Sequence, residues 1–233
     1  PPPMRKIFKA QQGALLPYYW HNGLMGEHSA DGIPTVNTFS QAMDYSMLLI
    51  EGIRVNMVSK GKFYGFRLED HVNRMLKGWK HLGLSSPYSA RKILEGIRNC
   101  VELNLRCLRE RNELASLYIR PKIYVSEGVI KPFAGRKTDV VIECFPLGNY
   151  APPDGISVTL DNYVRTYRYS GYATKGAGKY PEYGMLRDSS STEYQDVLQL
   201  GLGKGGKLIF TEGTTSNLFF VKDGELYTPG VDD

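Results

Sequence analysis

Cysteine is scarce in this chain: Cys100, Cys107 and Cys144 are the only three in 233 residues, with no C-x-x-C pair and no His-rich spacing around them. An odd, unpatterned set excludes a disulfide framework and a zinc-site signature, and it fits a reducing, cytoplasmic compartment. Long apolar runs are missing too. No stretch approaches a membrane span, and the start, Pro1-Pro2-Pro3-Met4-Arg5-Lys6, lacks the apolar segment of a secretory leader. The charges never cluster into a run of roughly five of one sign, which argues against a nucleic-acid or membrane stripe. The net charge of +5, from 29 Lys plus Arg against 24 Asp plus Glu, suits small phosphate-bearing ligands instead. His21, His28, His71 and His81 show no metal or triad spacing, so they read as surface or packing residues and no metal is expected.

What is present is a core-forming composition, 42% hydrophobic against 23% charged, which places the chain among globular proteins. Its aromatics are mostly tyrosine, 16 against 9 Phe and 2 Trp, and buried tyrosines need partners for their hydroxyls, so a polar, aromatic-lined cleft is expected.

Tyr18-Tyr19-Trp20 runs into His21-Asn22-Gly23, a strand entering an Asn-Gly turn. Leu48 to Val58 reads as one strand, Lys60-Gly61 as a turn and Lys62 to Phe66 as its return. Val72, Met75, Leu76 and Trp79 predict a helix over Leu68 to Leu82, and Ile93, Ile97, Val101 and Leu105 predict another over Ala90 to Leu108. Glu69-Asp70 sits as first-turn helix charge. Strands follow at Ser116 to Val125 and Val140 to Phe145. The breaker cluster Leu-Gly-Asn-Tyr-Ala-Pro-Pro-Asp-Gly sets the boundary: a small α+β domain over 1–147, a linker over 148–155 and a larger domain over 156–233. In the last, Ile156 to Leu160 is a strand, a helix starts near Pro181 and runs toward Tyr194, and short strands cover Val197 to Leu200, Lys207 to Thr211, Asn217 to Val221 and Glu225 to Thr228, with Asp223-Gly224 as a hairpin turn.

Gly201, Gly203 and Gly206 satisfy G-x-G-x-x-G, and Gly201 to Lys207 satisfies most of a P-loop. Both matches fail on context. Leu208 stands where a P-loop needs a hydroxyl, and a strand, Leu208 to Thr211, follows where a helix N-terminus must hold the phosphate. The segment reads as a hairpin loop.

Lys175-Gly-Ala-Gly-Lys-Tyr180 resembles the A-K-x-G-x-N-Y segment of the class IV (fold type IV) pyridoxal-phosphate aminotransferases, and Glu212-Gly213 with Ser216-Asn217-Leu218-Phe219 is similar to their E-G-x-x-x-N-L-F segment. Tyr45 through Glu51-Gly52-Ile53-Arg54, Phe66-Arg67-Leu68 through His71 and Arg74, and Tyr118-Ile119-Arg120-Pro121 resemble the corresponding motifs of branched-chain aminotransferases, in the same order. The resemblance implies a two-domain α+β fold, like that of D-amino-acid aminotransferases, here without the C-terminal part of the large domain. It implies pyridoxal 5′-phosphate, amino-acid and 2-oxo-acid substrates, and a homodimer or higher homo-oligomer, with no nucleic acid or membrane partner. By the same resemblance Lys175 is the catalytic lysine that forms the Schiff base, Glu212 faces the pyridine nitrogen, Tyr180 bonds the phenolic oxygen, Arg74 holds the phosphate and Asn217 belongs to the cofactor site. Tyr45, Tyr118, Arg120 and Tyr150 border the substrate, while Arg54 is expected in a structural ion pair.

The expected reaction moves an amino group from an aliphatic, branched-chain L-amino acid to 2-oxoglutarate. Ile50 stands where branched-chain enzymes carry an aromatic residue, Lys179 replaces the Asn before Tyr180, and Thr214-Thr215-Ser216 departs from the usual small or acidic residues. These departures keep D-amino-acid or (R)-amine transamination and aminodeoxychorismate lysis open, and the expected lack of the family's C-terminal elements keeps open a non-catalytic homologue.

Overall fold

The computed structural model describes residues 15–28, 34–59, 62–111, 115–131, 137–147, 154–165, 175–179 and 194–230. The chain divides into two units, one formed by 1–150 together with 174–178 and the other by 151–173 with 179–233.

The first unit is built on an antiparallel sheet whose order is β2 (Leu24–Glu27), β1 (Tyr18–His21), β7 (Thr138–Leu147), β6 (Ser116–Val125), β4 (Ile53–Ser59) and β5 (Lys62–Gly65), with β3 (Leu48–Ile50) also pairing to β6. A one-turn helix α1 (Gln41–Asp44) precedes β3, and α2 (Leu68–His81) and α3 (Ala90–Glu110) follow β5. Strand alternation decides which side chains meet the helices. On β6, Leu117, Ile119, Ile123 and Val125 are fully buried in the apolar core, and Val140, Ile142 and Cys144 of β7 join them. The helices contribute Val72, Met75 and Trp79 from α2 and Ile93, Ile97, Cys100 and Leu108 from α3; with the buried Asn104 between the last two, these stand three or four residues apart as an amphipathic stripe requires. Ser89 caps α3, its hydroxyl accepting from the Lys92 amide. Gly96 lets α3 approach β1: a Cβ there would stand 2.9 Å from the Trp20 indole. The Cys100 and Cys144 thiols lie 3.3 Å apart inside this core, and burial pushes the Cys144 thiol well above its ordinary value.

Both dipeptide turns form as their residues dictate. Asn22 and Gly23 take φ of 46° and 93°, and Asp223 and Gly224 take 53° and 80°, the paired positive angles of tight hairpins. The expected single strand from Leu48 to Val58 is instead broken at Glu51-Gly52. β3 and β4 keep one register against β6, with Ile50 opposite Lys122 and Ile53 opposite Ile119. The gap falls opposite Pro121, which has no N–H to donate, so the remaining bond there is from the Glu51 amide to the Pro121 carbonyl.

In the second unit, β8 (Val158–Arg165) runs parallel to β9 (Asp196–Leu202), and β10 (Leu208–Phe210) pairs antiparallel to β9. The Gly203 to Lys207 connection between β9 and β10 is a hairpin closed by a Gly203 amide to Lys207 carbonyl bond of 2.8 Å, which accounts for the false P-loop. β11 (Phe220–Lys222) and β12 (Glu225–Tyr227) form a separate hairpin. The helix read from Pro181 toward Tyr194 lies outside the described residues. No helix among the described residues is long and apolar enough to cross a membrane.

Candidate active site

Leu49, Glu51, Ile53 and Val55 occupy alternate positions of β3 and β4, and all four are buried. Glu51 is therefore a carboxylate placed in an apolar stripe, with only 1% of its side chain exposed. A lone buried carboxylate would be neutralised, yet Glu51 is held below the ordinary value. Burial acts to raise it, and hydrogen bonds from His71 and Arg74 lower it by more. Both partners sit on α2, one turn apart. Arg74 meets Glu51 side-on, Nε donating to Oε1 at 2.7 Å and Nη2 to Oε2 at 2.6 Å, and His71 Nδ1 lies 3.0 Å from Oε2. One edge of the Arg74 guanidinium is anchored on Glu51, and the side chain as a whole remains 42% exposed. His71, expected to be an ordinary packing residue, is thus part of a charged network.

Lys175 is seated beside this network. Its carbonyl accepts from the Ile50 amide at 2.9 Å, and Gly176 bridges antiparallel to Leu49, so the lysine segment adds to the outer edge of β3. Gly178 fits closely above Ser46, whose Cβ would stand 3.0 Å from a side chain at that position.

Gly52 and Arg54 alternate to the other face of the sheet, with Tyr118 and Arg120 of β6. The Tyr118 hydroxyl occupies the place of a Gly52 side chain, 2.1 Å from where a Cβ would be, which is why glycine stands in the break. Arg120 stacks over the Tyr118 ring, 5.2 Å from its centroid, and its Nη2 donates to the Tyr118 hydroxyl at 3.3 Å. Its Nε is buried without a partner among the described residues. Arg54 is exposed and makes no ion pair among the described residues, against expectation, because Tyr118 opposite it offers no carboxylate. Farther along the same face Lys122 pairs with Glu143, and burial, with Asp139 and Glu143, pushes the Tyr124 hydroxyl up to about 12.

Tyr45 follows α1 and donates to the Ile130 carbonyl, and no described contact joins it to Tyr118. In the second unit Glu212 and Asn217 face each other across an isolated bridge that closes the Gly213 to Ser216 turn. Tyr150 and Tyr180 lie outside the described residues. Sequence reasoning missed Glu51, His71 and Gly52. For Glu51 alone a signal was available: an acidic residue in register with Leu49, Ile53 and Val55 demands a basic partner, though not which one.

Comparison with known proteins gives these residues a family. The structure superimposes on a branched-chain aminotransferase from Thermoproteus uzoniensis, solved with norvaline, at a TM-score of 0.76 and 26% identity, covering 94% of this chain and 70% of that one. A branched-chain aminotransferase from Thermobaculum terrenum, solved in its PLP form, shares the fold at a TM-score of 0.72 and 22% identity, covering 92% and 67%. The fold is that of class IV aminotransferases. In sequence, the branched-chain-amino-acid aminotransferase of Escherichia coli K12 is 30% identical over 219 residues, 91% of this chain. The chain spans 66% of the length of that relative. The class IV amino-transferase family matches residues 48–233, and the chain belongs to it.

Proposed function

We propose that this chain is a pyridoxal-phosphate-dependent aminotransferase that moves an amino group from an aliphatic, branched-chain L-amino acid to 2-oxoglutarate. The observation that carries the reading is the seat of Lys175, fixed by backbone pairing to β3 one residue from the Glu51–Arg74–His71 network. The names of the relatives, and the norvaline and PLP of two solved neighbours, support the substrate class and the cofactor.

The residues present fit the group. Arg74, a planar guanidinium held in place by a buried carboxylate on a side chain that is 42% exposed, is suited to a phosphate dianion, and the Arg120 Nε, without a partner among the described residues, is suited to a substrate carboxylate. When bound, the cofactor supplies an electron sink for bond breaking at the substrate Cα. Lys175 attaches it and then moves a proton at that Cα as a neutral amine. By the resemblance, Glu212 would hold the proton on the pyridine nitrogen with Asn217 beside it, and Tyr180 would donate to the phenolic oxygen. Tyr45, Tyr118 and Tyr150 would border the aliphatic side chain of the substrate.

The domain division at 1–147, 148–155 and 156–233, a homodimeric assembly and a cytoplasmic setting belong to the same proposal. Ile50, buried against the Lys175 segment where an aromatic residue was expected, keeps a second substrate class in view, D-amino acids or (R)-amines. Borohydride treatment of the protein loaded with pyridoxal 5′-phosphate, followed by peptide mapping, is expected to leave a phosphopyridoxyl group on Lys175. Its absence there refutes the reading, and turnover of L-leucine or L-valine against D-alanine with 2-oxoglutarate separates the two substrate classes.

A further inference from the structure

Three residues between Glu212 and Asn217 depart from the family pattern, and the structure gives two of them a common partner. The ladder between β9 and β10 continues for one rung past β10: the Thr211 amide donates to the Gln199 carbonyl at 3.0 Å and the Gln199 amide to the Glu212 carbonyl at 2.9 Å. The chain then turns back through Gly213, whose amide donates to the Ser216 carbonyl at 2.7 Å, and reaches Asn217 opposite Glu212.

The turn closes around the carboxylate of Asp196, the first residue of β9. Oδ1 accepts from the Thr214 amide at 3.0 Å, the Thr214 hydroxyl at 2.5 Å and the Val197 amide at 2.8 Å, while Oδ2 accepts from the Ser216 hydroxyl at 3.1 Å. Partial burial acts to raise the Asp196 carboxyl and these four donors lower it by more, so it is charged at neutral pH. Gly213 lies against the same carboxylate: a Cβ there would stand 2.9 Å from Oδ2 and 3.1 Å from the Ser216 hydroxyl. Asp196, Gly213, Thr214 and Ser216 therefore form one clamp, and its two ends are Glu212 and Asn217.

We infer that Asp196 is a positioning residue for the Glu212 carboxylate, gripping the Gly213–Ser216 turn through the Thr214 and Ser216 hydroxyls and so fixing the direction in which Glu212 meets the cofactor. The inference rests on the reading of Glu212 given above. A carboxylate that must hold a proton on a ring nitrogen tolerates displacement of only about 0.5 Å, and the Asp196 contacts add a tie from β9 to the single backbone bond that closes the turn. Asp196 itself touches no cofactor in this scheme. The hydroxyls at 214 and 216 are the side-chain partners of the clamp.

Equilibrium titration of the full chain with pyridoxal 5′-phosphate, followed by absorbance, tests this together with amide hydrogen exchange over residues 211–218. D196A is expected to weaken binding at least about tenfold and to speed exchange across the turn, whereas D196N, which still accepts from Thr214 and can donate to Ser216, stays within about threefold of the parent. In the double variant D196A/E212Q, binding is expected to be no weaker than in E212Q alone, because Asp196 acts through Glu212. T214V and S216A each remove one hydroxyl and keep the carboxylate, so they report the same trend if D196A fails to fold. Unchanged binding or exchange in D196A, in T214V and in S216A, or multiplicative losses in the double variant, overturns the inference while E212Q remains weak. A silent E212Q overturns the Glu212 reading, and the inference with it.

Discussion

Replacing Glu51 by glutamine tests the charged network at the centre of the first unit. The substitution keeps size and one acceptor oxygen but turns an amide toward the Arg74 and His71 donors that now approach Oε2. Breaking a fully buried ion pair costs about 3–5 kcal/mol, and an exposed pair is worth about 0–1 kcal/mol. Glu51 is 1% exposed but Arg74 is 42% exposed, so solvent screens part of the interaction and the expected loss is about 2–3 kcal/mol. For a chain of this size that corresponds to a fall in melting temperature on the order of 5–10 °C. Tryptophan fluorescence is the suitable probe, since Trp20 and Trp79 are the only tryptophans, both are buried, and both lie in the first unit. A double-mutant cycle with R74Q separates the pair from general damage. Coupling below about 0.5 kcal/mol would refute the reasoning, because it would mean the two side chains are neighbours without a shared contribution.

Two other outcomes follow from the same geometry. G52A places a methyl 2.1 Å from the Tyr118 hydroxyl and should destabilise the first unit by about 1–3 kcal/mol, a penalty that Y118A should largely remove when urea unfolding of the single and double variants is compared. Glu51 and Asp196 both sit below their ordinary values of 4.5 and 3.8, so the stability each contributes is fully present above those values and is lost as pH falls through the lower folded ones; urea midpoints measured from pH 7 to pH 3 should fall less steeply in E51Q than in the parent, and equal slopes would contradict the assignment.

Local signals in the sequence were enough for the elements that local chemistry controls. Asn22-Gly23 and Asp223-Gly224 turn because their own backbones accept positive φ, and the α2 and α3 helices follow from the spacing of Val72, Met75, Trp79, Ile93 and Ile97. The break at Glu51-Gly52 was not legible, because its cause is a proline on another strand and a tyrosine hydroxyl packed across the sheet. The same holds for His71 and Asp196. Neither residue type at its own position announces a partner, and the side-chain partners come from 18 to 20 residues away. The candidate lysine was legible only through its motif, since a lysine among glycines carries no chemistry of its own until a strand edge fixes it.

That strand edge has a consequence for how the protein can be cut and how it folds. The polypeptide leaves the first unit after residue 150, returns for residues 174–178 and leaves again. A fragment ending at Tyr150 would carry every α-helix of the first unit but would leave the Ile50 amide and its neighbours as an open edge, a template for pairing with another chain and hence for aggregation. Adding a short peptide spanning residues 174–178 in trans should quiet that edge. In the intact chain the bond between residues 50 and 175 closes a very long loop, so its closure costs more entropy than the local pairings of the sheet. The seat of the lysine is therefore expected to form after the β3 edge that receives it, and a molecule in which that edge is unpaired has no candidate active site.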